Sequence, residues 1–187
     1  MALRTRSVST TRKAPAGKTA AGRARAAKAA APQKDAIALL TGDHRAVKRL
    51  FQKFKKLKSA RATRAGKAEK ADLVQQICRE LTVHAEIEEE IFYPATRRAI
   101  KDNDLMDEAR VEHATIKELV AQLQHMSPGD ELYDAKVTVL GEYVDEHVKE
   151  EETDMFSKAK KSRLNLAALG AALKERKEEL LEELTTH

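Results

Sequence analysis

Residues 81–94 read LTVHAEIEEEIFYP. Extending the 3-4 spacing of their apolar positions in both directions gives one seam: Leu73, Ile77, Leu81, His84, Glu88, Ile91 and Ala95. Residues at that spacing share one face of an α-helix and form its buried stripe. A histidine and a glutamate, four residues apart, therefore stand where a helix in water needs apolar side chains. The spacing predicts a helix over 69–100, with Pro94 kinking it one or two turns beyond Glu88.

The same pattern recurs elsewhere in the chain. A helix over 35–58, capped by Asp35, has Ile37, Leu40, Val47, Phe51 and Phe54 in its seam, and His44 falls among them. Gly42 marks a strained or closely packed turn there. A helix over 104–126 aligns Met106, Ala109, His113, Ile116, Val120 and Leu123, and it stops at Ser127-Pro128-Gly129-Asp130. A helix over 130–160 aligns Tyr133, Val137, Leu140, Val144, His147, Glu151 and Met155. A last amphipathic segment, 164–184, carries Leu169, Leu173, Leu180, Leu181 and Leu184, with Ser162 or Asn165 as its cap, and is expected to pack across the bundle or onto a partner. The fold class is all-α: an up-down-up-down four-helix bundle over 35–160, an additional C-terminal helix within 161–187, and a basic tail over 1–34.

Four of the six histidines, His44, His84, His113 and His147, fall in the seams of four different helices, while His125 and His187 do not. Two of the four are followed at i+4 by a glutamate, Glu88 or Glu151, on the same face. Measured from the first inter-helix connection, His44, His84 and Glu88 lie 14, 16 and 20 residues away; measured from the second, His113, His147 and Glu151 lie 13, 17 and 21 residues away. All six thus come to one level of the bundle, in two hairpins related by a pseudo-two-fold axis.

Burying two carboxylates without cations is costly, and no Lys or Arg occupies these seams. Four imidazoles and two carboxylates suit a pair of metal ions bridged by the carboxylates. Nitrogen and oxygen donors in a high-coordination site favour iron, or manganese, over four-coordinate zinc. The Glu-x-x-His pairs of ferritin-type sites are missing: Leu81, Arg110 and Val144 stand three residues before His84, His113 and His147.

Composition agrees with an all-α body. Of 187 residues, 42% are hydrophobic and 4% aromatic, with 7 Gly and 4 Pro, too few turn residues for a β-sandwich or barrel. No apolar run is long enough to span a membrane. The single cysteine, Cys78, excludes an internal disulfide and a cysteine-rich zinc site, and a reducing, cytoplasmic compartment is expected. The formal charge of +5 is a sum of unlike parts. Residues 1–34 hold nine of the 35 basic residues and no acid, leaving 26 bases against 30 acids in residues 35–187. The tail reads as disordered. It has three readings: a solvated tail, an arm that binds nucleic acid without sequence preference, or an organelle transit peptide.

Asp43-His44, His84-xxx-Glu88-Glu89 with Ile91-Phe92-Tyr93-Pro94, Glu112-His113 and His147-xxx-Glu151-Glu152 together resemble the hemerythrin family in its bacterial HHE cation-binding form, over about 35–160. The resemblance implies a non-haem di-iron centre. In it His44, His84, His113 and His147 are terminal ligands and Glu88 and Glu151 bridge. Oxygen-carrying hemerythrins have a further histidine four residues after the third-helix ligand, where this chain has Lys117. They also end in a longer His-to-acid spacing with Asp, where this chain has His147-xxx-Glu151. Fewer protein ligands leave open positions for oxygen, nitric oxide or peroxide. The expected function is therefore binding or sensing such a ligand, or handling iron. The alternatives are a di-iron oxidase or peroxide-consuming enzyme, and a nucleic-acid-associated sensor using the tail. Asp43, Glu112 and Glu146 are candidates to orient the imidazoles, Tyr143 is a candidate to contact a bound ligand, and Cys78 is expected to have no role.

Overall fold

The computed structural model describes residues 34–58 and 64–185, so the reading of residues 1–34 as a disordered arm falls almost wholly outside them. Four helical rods make the bundle. The first is α1 (Ala36–Lys58). The second joins α2 (Arg64–Ile87) to α3 (Tyr93–Ile100) through a π-helical segment, Glu88–Phe92. The third is α4 (Asn103–Gln124). The fourth joins α5 (Tyr133–Glu150) to α6 (Phe156–Lys161) through a second π segment, Glu151–Met155. A final helix, α7 (Leu166–Thr185), packs on α1, α2 and the first π segment. No strand occurs among the described residues.

Local chemistry sets the helix ends. Asp35 Oδ1 accepts from the Ala38 N–H at 2.8 Å, and Asn165 Oδ1 accepts from the Ala168 N–H at 3.0 Å. Each side chain satisfies an N–H that the helix leaves without a partner. At the turn between α4 and α5, Gly129 takes φ +129°, a conformation open to glycine, and Asp130 accepts from the Ser127 N–H.

The disruption expected at Pro94 is a π turn that ends just before it, at Phe92. Proline is not its cause, because the second rod has the same π turn and no proline there. What the two turns share is their first residue, a wholly buried glutamate. Gly42 is not closely packed either: a Cβ there would meet only Lys34 Nζ, at 3.6 Å. The close approach is at Gly170 on α7, where a Cβ would lie 2.6 Å from the backbone of Lys34 and Asp35.

The apolar core is split in two. One cluster, around Phe51, Phe54, Ile77, Val120, Leu123 and Leu140, fills the end nearest the connections. The other, around Leu40, Ile87, Phe92, Met106, Phe156 and Leu173, fills the opposite end and takes in α7. Between them lies a layer of buried polar groups, which is the site. Of the segment over 164–184, Leu173 is fully buried, Leu169 and Leu180 are half-buried, and Leu184 is exposed.

Candidate metal centre

The six seam residues meet. His44, His84, His113, His147, Glu88 and Glu151 are all buried, none more than 6% exposed. Their ligand atoms form two groups, one of His44, His84, Glu88 and Glu151, the other of Glu88, His113 and His147. Within each group the atoms lie within 4.8 Å of one another, and Glu88 belongs to both. His44 Nε2 stands 3.0 Å from His84 Nε2, and His113 Nε2 stands 3.1 Å from His147 Nε2. The two histidine pairs thus repeat one spacing in the two hairpins, while the carboxylates are unequal, with Glu88 shared by both groups and Glu151 in one.

An outer ring of carboxylates faces the other ring nitrogens. His44 Nδ1 donates to Glu152 at 2.9 Å, His113 Nδ1 to Glu89 at 3.0 Å and His147 Nδ1 to Glu112 at 2.7 Å. His84 Nδ1 faces Asp43 Oδ2 at 3.7 Å, beyond direct hydrogen-bond range. A carboxylate only accepts, so the three bonded Nδ1 atoms carry the proton and the Nε2 lone pairs point inward. That is the tautomer a metal-binding histidine needs.

The ring is built by rule. The residue before each first-helix histidine, Asp43 or Glu112, crosses to the next helix and faces His84 or His147. The residue after each buried glutamate, Glu89 or Glu152, faces a histidine across the bundle that this glutamate also approaches, and Glu88 lies in addition 3.2 Å from His84 Nε2 on its own helix. Glu88 and Glu89 reach the two ring nitrogens of His113 at 3.5 and 3.0 Å. Glu151 and Glu152 reach those of His44 at 3.3 and 2.9 Å. Consecutive residues of a regular helix diverge by about 100°. The wider π turn, closed by the Tyr93 N–H on Glu88 O and the Phe156 N–H on Glu151 O, coincides with both double grips. π turns inside α-helices are frequent at functional sites.

Of the expected orienting acids, Asp43 and Glu112 stand in this ring, each against the histidine of the neighbouring helix. Glu146 is exposed and takes no part. Tyr143 is 47% exposed on the outside of α5, and the tyrosine at the centre is Tyr93, its hydroxyl 3.1 Å from His113 Nε2. Glu89, Glu152 and Tyr93 carried no assigned role in the sequence reading, although all three lie within the motifs quoted. Lys117, at the position of the extra histidine in oxygen carriers, holds Glu89 Oε2 at 2.6 Å. Cys78 is buried and its thiol is pushed up to about 11 by burial, so it is no ready nucleophile.

The electrostatics show what the layer lacks. Both oxygens of Glu88 and both of Glu151 are buried with no hydrogen-bond partner. Burial, then the charge of Glu151, pushes the Glu88 carboxyl well above the usual range. Burial acts on Glu151 in the same sense, but the His44 ring nitrogen 3.3 Å away and the nearby histidines outweigh it and hold Glu151 down at about 2. Burial lowers His84 to about 4. Glu89 is held at about 2 by its hydrogen bond from His113, with Lys117 assisting against partial burial. Four converging imidazole Nε2 atoms and four carboxylate oxygens without hydrogen-bond partners form a donor set that fits cations.

Beside the histidines is a cavity of about 20 Å³, walled by Val47, Leu81, Ile116, Val144 and Val148. It has room for about one water-sized molecule. Among the described residues no helix is long and apolar enough to cross a membrane.

Comparison with known proteins agrees with this architecture. The family model of the hemerythrin HHE cation-binding domain matches residues 35–159. A solved HHE cation-binding domain-containing protein from Mycobacterium kansasii superposes with a TM-score of 0.64 at 22% identity, covering 79% of this chain and 87% of that one. That likeness bears on the fold. A DNA nickase of Nostoc sp. is 35% identical over 82 residues, which are 44% of this chain and 23% of that protein, so this chain spans under a quarter of that relative. With the family model covering two-thirds of its length and a His/Glu cluster able to hold metal at its centre, the chain belongs to the hemerythrin HHE cation-binding family.

Proposed function

We propose that this protein is a non-haem di-iron protein that binds or senses one small ligand, oxygen, nitric oxide or peroxide. The observation that carries the reading is the pair of buried glutamates with all four oxygens unpartnered, set among four inward-facing Nε2 atoms. Two overlapping donor groups sharing Glu88 support two ions with a bridging carboxylate. A donor set of imidazole nitrogens and carboxylate oxygens favours iron, or manganese, over zinc.

When bound, the metal pair supplies redox-active, Lewis-acidic coordination positions. The chain's own residues do the rest. Glu152, Glu89 and Glu112 fix the imidazole tautomers, and the apolar walls exclude bulk water. The cavity of about 20 Å³ beside the histidines suits a ligand of very few atoms. Metal analysis of the native protein should give near two irons per chain, with absorption bands that move on adding azide or nitric oxide. The double variant His84→Ala, Glu151→Ala should lose metal; unchanged iron content in it would sink the reading.

A second reading, a peroxide-consuming enzyme using the same residues, is favoured by Tyr93. Burial and the charges of Glu151 and Glu88 push its phenol well above its usual value, so it stays protonated and can hold a proton beside His113. Peroxide turnover by the iron-loaded protein above that of free iron, and its loss in Tyr93→Phe, would establish the enzyme. Turnover no greater than that of free iron would leave the binding role.

A further inference from the structure

The negative charge of the folded body is unevenly placed. From Arg45 to Lys58, α1 carries seven cations, Arg45, Lys48, Arg49, Lys53, Lys55, Lys56 and Lys58, and no acid. All seven are exposed. Helices α4 and α5 carry the opposite balance, five acids and two Lys or Arg each. The apolar stripe of α1, through Val47, Phe51 and Phe54, faces inward and is buried. At 3.6 residues per turn, Arg45, Arg49, Lys53 and Lys56 run along the crest of the helix, with Lys48 and Lys55 to one side.

Little neutralises the crest. Lys48 lies 3.7 Å from Asp145, with both side chains more than half exposed. Lys53 and Lys56 also border the groove between α1 and α2, whose α2 wall carries the acids Glu69 and Asp72. The open path for an anion is therefore the crest of α1 and not that groove. The stretch from Arg45 to Lys58 spans about 20 Å at 1.5 Å per residue, enough to lie along several consecutive phosphates of a duplex.

We propose that the exposed face of α1 is a binding surface for the sugar-phosphate backbone of nucleic acid, independent of sequence. Two polyanions fit such a charge row, and the side chains choose between them. A helix that lies in a lipid surface turns an apolar face to the bilayer, and the apolar face of α1 is already occupied by the core. The crest holds cations and Gln52, with no apolar side chain to insert. It holds no aromatic to stack on bases either, so the interaction is with phosphate alone. The basic residues of 1–34 precede α1 directly in the chain and would add to the same interaction.

The test uses the full chain and a short mixed-sequence DNA duplex, with affinity measured over a series of salt concentrations. The triple variant Arg49→Glu, Lys53→Glu, Lys56→Glu should bind more weakly and flatten the salt slope by about 2.7, roughly 0.9 for each phosphate no longer neutralised. A control with equal charge change, Arg98→Glu, Lys101→Glu, Arg110→Glu, should retain most of the slope. Metal content should be the same in all three proteins, so the outcome stands apart from the reading of the metal centre. Equal affinity and slope in the α1 triple variant and the native chain would overturn the proposal. So would an α1 triple variant that loses binding to phosphatidylserine vesicles and keeps its binding to DNA.

Discussion

Lys177 on the C-terminal helix donates to Asp43 Oδ1 at 2.7 Å, and Asp43 Oδ2 faces His84 Nδ1 at 3.7 Å. One turn of α7 thereby touches the outer ring of the centre. The neighbouring Arg176 grips Glu90, in the π segment that begins at Glu88, through Nε at 2.7 Å and Nη2 at 3.2 Å. The family match ends at residue 159, so this contact comes from a part of the chain outside it. A second lysine, Lys117, holds Glu89 behind His113 in the same manner. Each of the two donor groups thus has one histidine whose carboxylate is tied to a lysine.

Lys177→Met should leave metal content unchanged and cost about 1–3 kcal/mol, the scale for a hydrogen bond to a charged group whose partner is left largely buried. Asp43, freed of its cation, should close on His84 and make the imidazole a stronger donor, moving the midpoint potential of the iron-loaded protein to a more negative value. Lys177→Arg should restore it. A spectroelectrochemical titration reads both, and a potential unmoved in Lys177→Met would show that the C-terminal helix does not tune the centre.

Metal removal should make stability depend on pH in a defined sense. The folded pKa of Glu88 is raised, so its contribution is fully present below about 4.5 and is lost as pH rises through the folded value. His84 is lowered to about 4, so its contribution is present above 6.5 and is lost as pH falls from 6.5 to 4. Against its burial, His44 is raised above 6.5 by Glu151 and Glu152, so its contribution, like that of Glu88, is lost as pH rises, and the metal-free protein should lose stability in that direction. Metal binding needs Glu88 ionised and the imidazoles neutral, so the Tm gap between loaded and metal-free protein should widen from pH 6 to pH 8. Thermal melts across that range check this; a constant gap would contradict it.

Glu88→Gln should separate folding from metal binding. It removes a buried, uncompensated charge, so the metal-free variant should melt at or above the metal-free native protein at pH 8. Metal content should fall, because Glu88 is common to both donor groups. Calorimetry of the metal-free proteins and metal analysis of the loaded ones give the two signs separately.

Gly170→Val should destabilise the chain by about 3 kcal/mol, at the upper end of ordinary overpacking. The obstacle at 2.6 Å is backbone, not a side chain that can swing away. Displacing α7 would also loosen the Lys177–Asp43 pair, so the potential shift of Lys177→Met should reappear. A variant as stable as the native protein would show that α7 sits less tightly on α1 than this close approach implies.

Much was legible in the residues alone. Periodicity placed the buried stripes of α1, α4 and α5, and it put four histidines and two glutamates in the helix seams at one level. Pro94 marks the neighbourhood of the interruption in the second rod but is not its cause. A proline is visible in a sequence, whereas the π turn goes with a buried glutamate and its neighbour gripping one imidazole across the bundle. Tyr143 looked suitable because it lies one turn before His147, yet it faces solvent. Tyr93 sits in the π-to-α3 transition, where a simple helical count no longer predicts direction.

The sequence by itself determined the helices, their inward faces and the six residues that meet, because those follow from the 3.6-residue period and the cost of burying charge. Tertiary structure alone decided which acid faces which imidazole: Asp43 to His84, Glu112 to His147, Glu89 to His113 and Glu152 to His44. It also decided that Lys177 reaches the centre and that the cations of α1 remain exposed in one row. Periodicity within a helix says which face a residue is on. The rotation and offset of one helix against the next come only from packing, and every one of those pairings crosses between helices.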